Sequence, residues 1–276
     1  MPQTPFTDPS PIAAGLKLAE LISALSHALD ITEGQPEGHC VRCCWIGMHL
    51  GRSIGLTETQ QWELYYTLLL KDLGCSSNAA RICELYLTDD LNFKRDFKHV
   101  GDSLPQVVRF VLQHTGLKAG LAERFRSVLN IFRNGPEFSQ ELIQTRCQRG
   151  AEIARLLRFS EGVAAGIYSL DEHWSGQGKP DQLSGTAIPV YARIALLAQV
   201  VDVFHMADGK EAAMNEVRRR DGQWFDPTLV AAMEKLAAQE SFWATLRSDA
   251  IEQAVLALEP ASCEVPLDED YLDDIA

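Results

Sequence analysis

Apolar residues recur three and four positions apart along most of the chain and β-branched alternation is scarce, which predicts helices nearly throughout. Between 16 and 30, Leu18, Leu21, Ile22, Leu25 and Leu29 share one face, and Gly34, Pro36 and Gly38 break the pattern. From 39 to 54, Val41, Cys44, Trp45, Met48 and His49 line one side of a second helix that ends near Gly55. Thr57 followed three residues later by Gln60 has the form of a capping box. The helix it opens carries Trp62, Tyr65, Tyr66, Leu68, Leu69 and Leu70, apolar on nearly every side, which predicts deep burial.

Several helices are expected from 75 to 135, among them 104–114 and 117–133, then one over 137–157 carrying Arg146 and Gly150. A helix over 160–171 should deliver Leu170, Asp171 and Glu172 into a glycine-rich loop at 175–187. Pro189 suits the first turn of a long helix reaching 206. Residues 211–258 read as three or four further helices, punctuated by Asp226-Pro227 and Glu259-Pro260. Leu267, Tyr271, Leu272 and Ile275 begin one more amphipathic pattern, which either caps this domain or leads into another. The fold class is all-α, divided into a tail at 1–14, a helical domain at 15–210 and a C-terminal extension at 211–276.

Composition narrows the setting. A chain of 276 residues, 46% hydrophobic and 23% charged, is an ordinary globular protein. No run reaches the roughly 18 apolar residues that span a bilayer, and the first residues lack a basic stretch typical of a signal peptide. A cytoplasmic location is expected, with no membrane partner. The net charge of −13 argues against binding nucleic acid, but leaves room for a small anionic nucleotide in a local basic pocket. Seven scattered cysteines do not form a disulfide framework, and the lone Cys40-x-x-Cys43 pair reads as packing. The same holds for His49 beside Cys43 and Cys44, since zinc needs two spaced ligand pairs. Ser76, Ser77 and Asn78 read as a helix cap.

The densest signal lies between Asp171 and Phe204. Glu172, Trp174, Gly176, Gly178, Pro180, Leu183, Gly185, Ile188, Pro189, Ala192, Arg193 and Ile194 stand at the spacing of a known signature. This stretch resembles that of the HD-GYP phosphohydrolases, and the resemblance covers about 35 to 210. It implies an HD-domain helical bundle with an HD-GYP-type C-terminal extension. It also implies a site of two or three divalent Mn, Fe or Ni ions, whose charge lowers the pKa of a bridging water and neutralises the attacked phosphate.

Carried over residue by residue, the resemblance places the first ligand on His39, which lies 32 positions before Lys71 and is followed by Arg42. The family's His-Asp pair falls on Lys71-Asp72, its later His on Arg146, its two signature His on Leu170 and Asp171, and its last Asp on Gln199. Asp202 sits one helical turn beyond Gln199. His39, Asp72 and Asp171 are the candidate metal ligands if a metal is retained, and Lys71, Asp72 and Glu172 the candidate catalytic residues. Lys71, Arg146, Leu170 and Gln199 are substitutions at ligand positions, two of them cationic where a cation should bind. In the loop, Gly176, Gly178, Lys179, Pro180 and, beyond it, Arg193 correspond to the family's GYP segment, with Ser175 and Lys179 replacing its Asp and Tyr. His173 occupies an Arg position that faces away from the metals.

These substitutions lead to the expectation that Lys71 and Arg146 replace the metal charge and neutralise Asp72, Asp171 and Glu172 in one buried network. The expected protein is then a non-catalytic signalling module without cofactor, a pseudoenzyme. It would regulate or dimerise with a cyclic di-GMP phosphodiesterase, as a homodimer or with an HD-GYP or diguanylate-cyclase-type partner. The competing readings are an active metal-dependent phosphohydrolase acting on cyclic di-GMP or another phosphodiester, and a phosphate- or nucleotide-binding sensor. The resemblance is strongest to a branch whose members look two-lobed, with such a region preceding a second HD-GYP domain.

Overall fold

The computed structural model describes residues 17–32, 36–75 and 140–260. The helices are α1 (Leu18–Thr32), α2 (His39–Ser53), α3 (Glu58–Leu70), α4 (140–156), α5 (Glu161–Tyr168), α6 (Val190–Asp208), α7 (Lys210–Arg219), α8 (Pro227–Ala237), α9 (Glu240–Leu246) and α10 (Ile251–Leu256). A 3-10 turn spans Gly185–Ala187. Among the described residues the only β pairings are two isolated bridges, Ser175 with Ser184 and Asp221 with Phe225. The all-α expectation holds. The expected helices at 104–114 and 117–133, the cap at Ser76–Asn78, the tail and the pattern from Leu267 lie outside the described residues.

Local chemistry starts several helices where the sequence predicts. Thr57 Oγ1 accepts from Gln60 N and Gln60 Oε1 accepts from Thr57 N, at 3.3 and 3.0 Å, closing the capping box of α3. Asp226 accepts from Thr228 N at 2.8 Å, with Pro227 as the first residue of α8. At α5, the Ser160 hydroxyl accepts from Val163 N at 3.4 Å.

The helix expected to reach 171 stops at Tyr168. Leu170 N and Glu172 N bond only three residues back, to Ile167 O and Ser169 O. The reason is the returning loop: Lys179 N takes Asp171 O at 3.0 Å, and a Cβ at Gly178 would lie 2.1 Å from His173 N. Backbone packs on backbone there, so the helix has no room to continue. Asp171 and Glu172 therefore project from a turn.

The core is built around α2, α3 and α6, with α5 against α3 and α6, α7 against α6, and α8 and α10 against α2. By length and composition α6 could cross a bilayer. Here it is the central helix, with Ile194, Ala195, Leu197, Ala198 and Val201 fully buried. Glu63 ties three helices together, accepting from Ser160 Oγ at 2.5 Å and Tyr191 OH at 2.6 Å. The five described cysteines, Cys40, Cys43, Cys44, Cys75 and Cys147, are buried, as packing residues should be.

α4 meets the turn after α3 without intervening side chains. A Cβ at Gly74 would sit 1.9 Å from Arg146 O and 2.8 Å from Gly150 N. Neither backbone atom can swing aside as a flexible side chain could. Gly74→Ala is therefore expected to destabilise the fold by about 3 kcal/mol, the upper end of overpacking costs, read as a lowered denaturant midpoint.

Candidate functional site

Of the side chains picked out by the resemblance, His39, Lys71, Asp72 and Gln199 lie at the junction of α2, α3 and α6. His39, in the first turn of α2, is fully buried, and its Nδ1 lies 2.6 Å from Asp202 Oδ2. Arg42, one turn on, donates from Nε to Asp202 Oδ1 at 2.6 Å and from Nη2 to Oδ2 at 3.2 Å. Its Nη1 also donates to Glu37 O at 2.8 Å. Burial would raise the Asp202 carboxyl, but the bonds and charges of His39 and Arg42 outweigh it and hold the group below the usual carboxylate range. Cys43 completes the cluster, with Sγ 3.8 Å from both His39 ring nitrogens. Burial pushes its thiol up.

The adjacent group is centred on Asp72. Lys71 is buried, its Nζ ion-paired with Asp72 and donating to Gln199 Oε1 at 3.4 Å. Desolvation works against the ammonium, yet Asp72 beside it wins and raises the Lys71 pKa, so the side chain is a cation. The Cys40 and Cys75 thiols donate to the two Asp72 oxygens at 3.5 and 3.7 Å. Asp30 reaches across from α1 to accept from Cys40 N at 2.9 Å, placing a carboxylate at the start of α2.

The expected single network is in fact divided. Arg146 of α4 pairs with Asp171, to which Cys147 Sγ also donates at 3.7 Å. Glu172 joins neither cation: its oxygens accept from Asp181 N at 2.6 Å and Leu183 N at 2.9 Å, so it shapes the loop. Leu170 is a core residue. In the loop, Gly176 takes a positive φ of 80°, Lys179 is half-buried, and Pro180 O accepts from Gln140 Nε2 at 2.7 Å. Arg193 turns away to Asp226, at 2.6 Å, and to Ile188 O. His173 stacks on Trp224 with ring centroids 4.2 Å apart. The residue that counting along the chain underrates is Asp202, and its signal is present in the sequence: one turn beyond Gln199 it shares a helix face with that residue.

His39, Cys43 and Asp202 offer one ligand atom each within 4.8 Å of one another, the one such group among the described residues. As arranged they do not fit the family's divalent centre. Both Asp202 oxygens are held by Arg42, one of them also by His39, and the Asp72 carboxylate is held by Lys71 and two thiols.

Similarity to known proteins points to catalysis where the ligand count points away from it. An HD domain model matches residues 119–229. The 3'3'-cGAMP-specific phosphodiesterase 3 of Vibrio cholerae is 55% identical over 256 residues, covering 93% of this chain and 56% of that protein. The cyclic di-GMP phosphodiesterase response regulator RpfG of Xanthomonas campestris is 28% identical over 117 residues, 40% of this chain and 29% of its own length. A crystal structure of a cyclic GMP-AMP specific phosphodiesterase of V. cholerae, V-cGAP3, superposes with a TM-score of 0.72 at 49% identity, over 94% of this chain and 57% of that one. The chain thus spans a little over half the length of the first relative. The expectation of a non-catalytic pseudoenzyme does not stand, because a relative this similar is a phosphodiesterase. The expectation of no cofactor falls with it, since HD-type phosphodiester hydrolysis uses divalent ions.

The buried pairs also make a stability test. Lys71→Met should cost about 3–5 kcal/mol by leaving Asp72 as an uncompensated buried charge, and Lys71→Met with Asp72→Leu should recover most of it. Equilibrium denaturation of both variants decides this. Helical architecture, His39 and Asp72 at the signature spacing, the matched domain and the identity over 93% of the chain converge. The chain belongs to the HD-domain phosphohydrolase family.

Proposed function

We propose that this chain works in a metal-dependent phosphodiesterase that opens a 3'3'-linked cyclic dinucleotide, with cGAMP as the preferred substrate. The observation that carries this is the 55% identity to a 3'3'-cGAMP-specific phosphodiesterase along 93% of the chain. Relatives that act on cyclic di-GMP are less similar and match shorter stretches: 28% over 117 residues and 38% over 77. A divalent ion supplies the activated water and neutralises the phosphate in such a reaction.

The chain's own residues contribute order around that chemistry. Arg42 and His39 lock α2 to α6 through Asp202, and Glu172 holds the signature loop by its amides. A dianionic cyclic dinucleotide suits the remaining expectations: a small anionic nucleotide as ligand, no nucleic acid, and a cytoplasmic setting. A second copy of the chain or an HD-GYP or diguanylate-cyclase-type signalling protein is the partner this reading carries.

Incubation of the full-length protein with 3'3'-cGAMP, cyclic di-GMP and cyclic di-AMP in the presence of Mn, Fe or Ni tests it. Chromatography should show linear dinucleotide forming fastest from cGAMP, and a chelator should stop the reaction. Absence of turnover on all three with every metal overturns the reading.

A further inference from the structure

α9 meets the bundle through Phe242 and Trp243. Both are buried, and each takes part in a bond that fixes the local backbone: Trp45 Nε1 donates to Phe242 O at 3.3 Å, and Trp243 Nε1 to Ala237 O at 3.0 Å. Two imidazoles close the cluster. His49 of α2 lies edge-on to Trp45, with centroids 4.2 Å apart, and to Phe242 at 5.6 Å. His205 of α6 lies 4.9 Å from Trp243.

Each ring carries a nitrogen that is buried without a hydrogen-bond partner, Nε2 of His49 and Nδ1 of His205. A bare nitrogen is possible only in neutral imidazole. The imidazolium bears a proton on both nitrogens, so protonated His49 would bury a charged N–H against aromatic carbon with no acceptor. Its surroundings do not compensate. The charged group acting on His49 is Arg52 of its own helix, while α9 presents the Phe242 ring. Around His205 stand Asp202, already held by Arg42 and His39, and the cations Arg247 and Arg42, with Lys210 6.0 Å above the Trp243 ring.

We propose that His49 is an acid-sensitive pin, whose protonation releases α9 from α2. The direction follows from proton linkage. Burial, then Arg52, hold His49 below its ordinary value when α9 is docked. Undocked, the group returns towards about 6.5, so the open form binds the proton more readily. Docking is strongest above that pH and weakens as pH falls below it.

Hydrogen exchange of the Glu240–Leu246 amides in the chain, followed from about pH 7.5 to about pH 5.5 and corrected for the intrinsic rate, reads the device. Protection should fall below about pH 6.5 by at most about tenfold per unit, the limit for one proton. His49→Phe keeps a ring in the cluster and removes the titration, so its profile should be flat. Should that variant fail to fold by circular dichroism, His49→Gln replaces it with the same expectation. A wild-type profile independent of pH overturns the proposal, and so does a substituted profile that falls as the wild type does.

Discussion

The carboxylate of Asp202 is the point through which α2 and α6 are held. It is buried, three bonds from His39 and Arg42 converge on it, and those residues lie 163 and 160 positions away in sequence. Coulomb energy in a desolvated site is large for each pair, yet the cost of stripping water from three groups nearly cancels it. What survives is geometric. A bidentate guanidinium tolerates little rotation of either helix, so the pairing adds a directional constraint on the register of α2 on α6 to the apolar packing around it. Lys71 and Asp72 extend the same logic to α3, with Gln199 of α6 as the third partner.

How much of this is legible in the sequence depends on range. The Thr57–Gln60 box and the Asp226-Pro227 start involve residues at most three apart, and their chemistry can be read directly from the chain. The end of α5 escapes such a reading because it is set by Gly178 returning onto residues 171–173, a contact no local pattern contains. Spacing carries His39, Lys71 and Arg146 to their positions, but not to their partners. Glu172 reads as an acid beside two others. Only the folded loop shows that its oxygens are taken by Asp181 and Leu183 amides. A fixed count from Arg193 favours Gln199 over Asp202 because it cannot tell which of two residues one turn apart meets α2.

The mistaken expectation about catalysis has a different origin. Cations at Lys71 and Arg146 speak for the atoms beside them, not for the activity of a whole protein. The geometry speaks only to the local part: Lys71 is ion-paired with Asp72 and Arg146 with Asp171. It does not license the global part. Activity belongs to an assembled protein, and this chain matches 56% of a phosphodiesterase along nearly its whole length. Family likeness and ligand geometry thus answer separate questions here, and the first outweighs the second on what the protein does.

The signature loop shows why residues after 210 bear on the site. Trp174 N and Ser175 N donate to Trp224 O and Gln223 O at 3.1 and 2.8 Å, and the His173 ring lies on Trp224. The Arg220 guanidinium stands 3.9 Å from the same indole centroid. Two groups each about 4 Å from one ring centre cannot share a face without overlapping, so Trp224 is held between them. Glu216 then orients Arg220 from one turn earlier on α7, at 2.9 Å. Glu172 grips the loop from inside while Trp224 grips it from outside. A loop rich in glycine, with a large conformational entropy to lose, needs both holds to keep one shape. The segment at 220–226 is therefore part of what makes the signature loop a defined surface, although nothing in the signature itself points to it.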